Sequence, residues 1–524
     1  MTRNISYTDM NATSLHYLSK YIGGLIVLEE LKQKKLILES GKETWSDSSI
    51  LLIWNKLCDG PTDTRYEIYS KDQKIGETCF TDFTVEQLEP DKNYMFHIIA
   101  FAVSGELVIS NAVEVTTAHE PENIDITTYG AVGDGKSLNT KAIQKAIDDC
   151  PQLGRVIIPE GIFVSGALYL KSNMTLYVKE GGRLLGSSSL KDFPVIKYRF
   201  EGLETDCYAS LINTVRDGSY ENITIAGKGV IDANGSILRK QQTKLLQGKP
   251  GRAICLIHVN GIYFKDITIR QSPSWCVHTI YCSNITLNQI SIHVKYDEEG
   301  KRYEGIENGD GFDPDSCKNV NVVHSMIASQ DDSIAIKSGK DEEGRQVGIA
   351  CENIRVSNCR FVEGFGVAVG SEMSGSVRNV LVQDCTCENT YFAVSLKSPR
   401  GRGGIIENIK YENITQYYHI KEFQDCRWFR GAINIDMFYS HDKIVTDEKI
   451  PRTEKTPCIR NVLIKNISVD TFAGNAIFLH GLPEQYLENI TLDHITATAK
   501  NGMKVNNIND LVMKDIVIHE EPST

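Results

Sequence analysis

Several things are scarce in this sequence, and each scarcity excludes something. No apolar run is long enough to span a bilayer; the stretch Ile22 to Leu28 is short and ends in Glu29-Glu30. No basic segment precedes an apolar core at the N-terminus, so no signal peptide is expected and the expected location is cytoplasmic. Long basic clusters are missing, and Asp plus Glu outnumber Lys plus Arg by 68 to 56. Neither nucleic acid nor a membrane is therefore an expected partner. Fourteen cysteines occur without a single Cys-x-x-Cys, and Cys385-Thr386-Cys387 is too tight for a zinc knuckle. They read as reduced thiols filling a core. The Gly-rich run Tyr129 to Gly135 continues into Lys136-Ser137, so Gly130 to Ser137 spells the letters of a phosphate-binding loop; it is read here instead as the lead-in to a capping helix. Helical patterning is rare as well. One helix is predicted, from Lys141 to Cys150 behind an Asn139-Thr140 N-cap, with Ala142, Ile143, Ala146 and Ile147 as its apolar stripe.

What is present is β-structure in two textures. A chain of 524 residues exceeds one ordinary domain. After an extension over residues 1–26, short alternating strands punctuated by turns fill residues 27–118. Leu51 to Trp54, Tyr66 to Tyr69 and Tyr94 to Ala102 are the clearest. Leu88-Glu89-Pro90 followed by Tyr94 resembles the tyrosine corner of a fibronectin type III β-sandwich, with Trp54 as its core tryptophan. Residues 119–123 read as a linker. From 124 to 524 the texture is a repeat. Asn followed by aliphatic β-formers recurs at Asn173, Asn222, Asn260, Asn284, Asn319, Asn353, Asn379, Asn408, Asn461 and Asn489. This period is that of a solenoid coil, and Asn tolerates the left-handed bend between its strands. The fold expected is a right-handed parallel β-helix of about ten coils, plugged by the helix. Two long inserts, near Lys191 to Gly251 and Tyr417 to Thr456, should rise as loops around a groove.

Within the repeat, the stretch from Asn308 to Gly339 carries Asp310, Asp313, Asp315, Asp331 and Asp332. Carboxylates in Gly-rich turns often only cap the turn. An adjacent pair beside a buried strand is a costly choice unless it serves a site. Lys397, Arg400 and Arg402 share a later Gly-rich bend, where Lys supplies a point charge and Arg a bidentate grip on a carboxylate. Such residues can equally be solvated. Lys337 shares the strand parity of Asp331, and either a groove contact or a structural ion pair suits it.

Asn308-Gly309-Asp310 and Gln330-Asp331-Asp332 resemble the first two signature motifs of the family 28 glycoside hydrolases, the polygalacturonases. The likeness continues through Gly364-Phe365-Gly366 and Gly370-Ser371-Glu372 to Lys397 and spans roughly residues 124–524. The resemblance implies an inverting hydrolase, exo-acting, needing no metal or cofactor, whose partner is a pectic oligosaccharide. It implies Asp331 as general acid, with Asp310 and Asp332 activating water. Lys397, Arg400, Arg402, Lys337, Tyr439, Phe365, His278 and Arg252 would contact substrate. Two departures stand out. Phe365 occupies the place of the family's histidine, and Ser395 that of its arginine; Phe can neither donate a hydrogen bond nor carry charge. A decorated or mixed pectic substrate therefore stays open. So do a pectate-lyase-like β-helix, with calcium at Asp310 and Asp313 and Arg400 as base, and a non-catalytic sugar-binding solenoid.

Overall fold

Asparagine sets the frame of the larger unit. In a computed structural model describing residues 35–41, 46–57, 64–101, 107–419, 428–439, 448–471 and 474–520, the repeated Asn residues stack coil on coil. Each side-chain amide donates to the carbonyl of the Asn one coil earlier, from Asn284 on Asn260 at 2.8 Å to Asn489 on Asn461 at 2.9 Å. Except at Asn260, where the next residue Gly261 takes the bend at φ +87°, their φ angles of +52° to +60° place them in the left-handed bend. The ladder pairs side-chain amides along the edge of the solenoid and marks where the coils turn.

The strands between bends form a parallel β-helix. A 21-stranded sheet and an 11-stranded sheet wrap one continuous core of Ile, Val, Leu, Phe and Cys. Alternate residues of each strand point inward, which is why the sequence alternates at all. The coils of the 11-stranded sheet that matter here are Phe312–Asp315, Ile334–Ile336, Val367–Val369, Val394–Lys397 and Gly431–Asp436. Their register aligns Phe312, Ile334 and Val367 inward, and Ala335, Ala368, Ser395 and Asn434 outward. The plug helix is Thr140–Asp149, with Ile143, Ala146 and Ile147 buried. Asn139 precedes it but makes no side-chain cap. Its amide instead binds Val132 and Ser137, tying down the Gly-rich loop. Two further helices, Gly235–Leu245 and Asp341–Val347, were not expected. No helix among the described residues is long and apolar enough to cross a membrane.

The chain divides between Glu120 and Pro121. The first unit has a three-stranded and a five-stranded antiparallel sheet. Trp54 is buried against Tyr66, their ring centres 5.4 Å apart. The Glu89 backbone N–H donates to the Tyr94 hydroxyl at 3.0 Å, closing the corner that its sequence suggested. The expected extension over residues 1–26 lies outside the described residues. All twelve described cysteines are free, and ten are buried.

Candidate active site

The carboxylates gather where the coils bend into the 11-stranded sheet. Asp310 directly precedes the strand Phe312–Asp315, and Asp331-Asp332 precede Ile334–Ile336 one coil later. The acidic pair occupies a bend rather than a strand, which frees it from strict alternation. Ser329 Oγ donates to the Asp331 carbonyl at 2.8 Å, and the Gln330 and Asp331 N–H groups donate to Gly309 O at 3.0 and 3.2 Å. The Asp332 N–H donates to Asp331 Oδ1 at 3.0 Å. On the next coil Gly364, at φ +64°, packs so closely on the Asp331 carbonyl that a Cβ there would collide. That collision accounts for glycine on the near side of Phe365.

These groups open on a cleft of about 750 Å³. Asp310, Asp331, Asp332, Lys337, Phe365, Lys397, Arg400, Arg402 and Tyr439 all line it. Arg252 and His278, expected to contact substrate, do not; they lie behind Trp275. His278 pairs in register with Asp313 on the outward face of the sheet. It is fully buried, 3.5 Å from Asp315, with Trp275 edge-on at 5.0 Å. Burial drives its pKa down to about 3, so it is neutral. Arg252 is buried too, its guanidinium 5.1 Å from the Phe200 ring centre and 5.6 Å from Trp275, donating to the Arg199 carbonyl. Both support the cleft wall.

That wall is the first insert. Its strands Val195–Phe200 and Leu203–Tyr208 form an antiparallel hairpin. Tyr198 and Phe200 pack on the outward residues Cys255, Ile257 and Ile280, so the sheet's outer face is covered on the N-terminal side of Trp275. Arg199 reaches Asp315 at 2.9 Å in a fully buried ion pair. The hairpin turn meets the loop after Lys337, with Lys340 N–H donating to Gly202 O at 3.1 Å. At this end the cleft is blind.

Electrostatics divide the carboxylates by role. Lys397 Nζ lies 2.7 Å from Asp332 Oδ2, while Asp332 Oδ1 is buried without a hydrogen-bond partner among the described residues. Asp331 has no ion pair among them. Burial, then the neighbouring Asp332, pushes its pKa up to about 6. Lys337 stands under the cleft over Trp275, 3.8 Å from the ring centre. It contacts Asp313 at 3.1 Å, Asp310 at 3.4 Å and Glu372 at 3.7 Å. Burial raises both partners of the Asp310–Asp313 pair, Asp313 to about 7. Lys337 stays charged: desolvation disfavours its ammonium, but Glu372, Asp313 and Asp310 outweigh that. Five carboxyl groups thus face two ammonium groups, an arrangement that retains protons near neutral pH.

Arg400 and Arg402 are less available than their Gly-rich bend suggested. Arg400 grips Glu484 with two bonds of 2.6 and 2.8 Å. Arg402 donates to Asp341 at 2.6 Å and to Ser371 O at 2.9 Å. Tyr439 sits 5.3 Å from Lys397, and burial raises its phenol to about 12. Phe365 stacks on Tyr391 at 4.6 Å, and its N–H donates to Asp331 O at 3.0 Å. Glu372 took no role in the sequence reading, although its Gly-Ser-Glu motif was visible. Glu201, Lys340 and Trp428, which also line the cleft, had no signal there. A group with metal-ligand spacing, the half-buried Asp493 with the exposed His494 and Asp515, is not among the cleft residues.

The glycosyl hydrolases family 28 model matches residues 204–516. The exo-poly-alpha-D-galacturonosidase of Dickeya chrysanthemi is 28% identical over 448 residues, covering 71% of this chain and 72% of its own. A probable polygalacturonase of Vitis vinifera is 29% identical over 391 residues, covering 72% and 74%. Among solved structures, the Yersinia enterocolitica family 28 exopolygalacturonase superposes with a TM-score of 0.77 at 22% identity, covering 93% of this chain and all of that one. A Thermotoga maritima exopolygalacturonase gives 0.62 at 25% identity, covering 76% and 92%. The family model covers more than half the chain, including the coils that carry the acidic residues Asp310, Asp331 and Asp332: this protein belongs to glycosyl hydrolase family 28.

Proposed function

We propose that this chain hydrolyses galacturonate-containing pectic oligosaccharides from a chain end, with inversion at the anomeric carbon. The observation that carries this reading is the asymmetry of the adjacent pair. Asp331 is unpaired and keeps its proton to about pH 6, whereas Asp332 is ion-paired with Lys397. Asp331 gives its proton to the glycosidic oxygen as the C1–O bond breaks. Asp332, assisted by Asp310, takes a proton from the water whose oxygen forms the new bond to C1. Lys397 and Tyr439 flank the reacting sugar. The product is the shortened chain plus a released sugar, and no co-reactant besides water is consumed.

The lyase alternative fits less well. The Lys337 ammonium already neutralises Asp310 and Asp313, where a lyase would hold calcium, and Arg400 is committed to Glu484. The blind end behind Glu201 supports removal of end sugars over cleavage inside a polymer. Phe365, Phe392, Trp428, Phe438 and Tyr439 also line the cleft, which favours a substrate with a neutral or methyl-bearing sugar beside galacturonate. The free, buried thiols support action in a reducing compartment on short oligomers delivered to it. Viscometry combined with product chromatography on polygalacturonate tests the mode. A slow viscosity decline with steady release of short sugars is expected; a rapid fall with few new reducing ends would refute end-wise action.

A further inference from the structure

The blind end of the cleft holds two charged side chains, Glu201, whose charge is felt by Arg239, and Lys340. Glu201 sits at the hairpin turn and Lys340 on the loop facing it, both half-buried and both lining the cleft. Neither carboxylate nor ammonium forms an ion pair or side-chain hydrogen bond among the described residues. Among the described residues every other cation lining the cleft is taken: Lys337 by Asp310 and Asp313, Lys397 by Asp332, Arg400 by Glu484, Arg402 by Asp341.

The two residues are held in place by backbone rather than by each other. Glu201 and Gly202 have φ angles of +49° and +75°, the tight turn of a two-residue hairpin. Lys340 N–H donates to Gly202 O, and a Cβ on Gly202 would lie 2.6 Å from the Lys340 Cβ, so only glycine allows this approach. Glu204 N–H is bound by Glu343 at 2.7 Å, which clamps the hairpin to the helix following Lys340. Arg199 anchors the hairpin from beneath through Asp315. A rigid frame thus presents to whatever fills the end of the cleft a cation and an acceptor that no other described side chain bonds. Half-buried charges left unpaired are costly unless a ligand completes them.

We infer that Glu201 and Lys340 form an end-recognition site, Lys340 binding the carboxylate of the terminal galacturonate and Glu201 accepting its hydroxyl protons. This rests on the galacturonan reading and names the residues that choose the terminal sugar. Discrimination follows from the geometry: a terminal sugar without a carboxylate leaves Lys340 unpaired.

Binding measured by calorimetry in the Asp331→Asn background separates this site from turnover. Trigalacturonate and two trimers, each methyl-esterified at one terminal sugar, serve as probes. Lys340→Met should weaken trigalacturonate binding roughly 10- to 100-fold, with Lys340→Arg retaining most of it. It should not weaken binding of the trimer whose esterified sugar sits at the blind end. Glu201→Gln should weaken all three trimers alike. Unchanged Tm in each variant confirms folding. Equal losses for both esterified trimers, or trigalacturonate binding within twofold of the parent, would overturn the site. If the wild type proves unable to hydrolyse but binding depends on Lys340 as stated, the reaction assignment fails and the site stands. If no trimer binds, both fail.

Discussion

Lys397 and Asp332 are joined at 2.7 Å, and the carboxyl group of the preceding residue, Asp331, has no ion pair among the described residues. One lysine thereby makes two chemically equivalent residues unequal. Asp331→Asn keeps the volume but removes the proton that leaves with the glycosidic oxygen. Turnover should fall by roughly 10²- to 10⁴-fold with little change in KM, read from initial rates on trigalacturonate.

The same substitution should raise stability at neutral pH. The Asp331 pKa is about 6 in the fold against 3.8 for an ordinary aspartate, so the native state binds the extra proton between those limits. Wild-type stability from this group is full below about pH 4 and declines as pH rises toward 6. Asn does not titrate. Asp331→Asn should therefore melt higher than wild type at pH 7, and the gain should vanish near pH 4 in calorimetric scans.

Activity should follow the same group. With Asp331 as acid, kcat should decline above about pH 6. A kcat plateau extending past pH 8 would point to another proton donor, and a pH series on trigalacturonate decides it.

Lys337 is the structural keystone under the cleft. Lys337→Met leaves Asp310, Asp313 and Glu372 facing one another, buried, without their shared cation. Breaking a buried pair of this kind costs about 3–5 kcal/mol. Adding Asp313→Asn should restore much of that loss, because one stranded charge is then gone. A double-mutant cycle by denaturant unfolding measures the coupling.

We propose that Phe365 and Ser395, standing where the family has histidine and arginine, shift the substrate preference. Phe365, stacked on Tyr391, presents an apolar face, and Ser395 is fully buried in the sheet. The double variant Phe365→His/Ser395→Arg should shift kcat/KM toward plain oligogalacturonate by one to two orders of magnitude relative to mixed fragments, about 1.5–3 kcal/mol. A wild type that already prefers plain oligogalacturonate would contradict this.

Much of this was legible in the sequence, because it was local. The Asn ladder repeats within each coil, so its spacing alone gave the solenoid. Asp310, Asp331 and Asp332 lie in short motifs whose bends are fixed by neighbouring Gly and Ser. The rest depends on distant contacts. Arg400 and Arg402 looked free on their bend, but their partners Glu484 and Asp341 lie 84 and 61 residues away. Arg252 and His278 read as groove contacts by family resemblance alone. What hides them is the hairpin, docked by Arg199 onto Asp315 across 116 residues. Glu201 and Lys340 gain meaning only where that hairpin lands.

Proton NMR of trigalacturonate during its first turnovers tests the hydrolase assignment most directly. Hydrolysis through Asp331 and Asp332 should release a saturated product with the anomeric configuration inverted from that of the bond cleaved, and Asp331→Asn should release almost none. A retained anomer, an unsaturated product, or full activity in Asp331→Asn would contradict it.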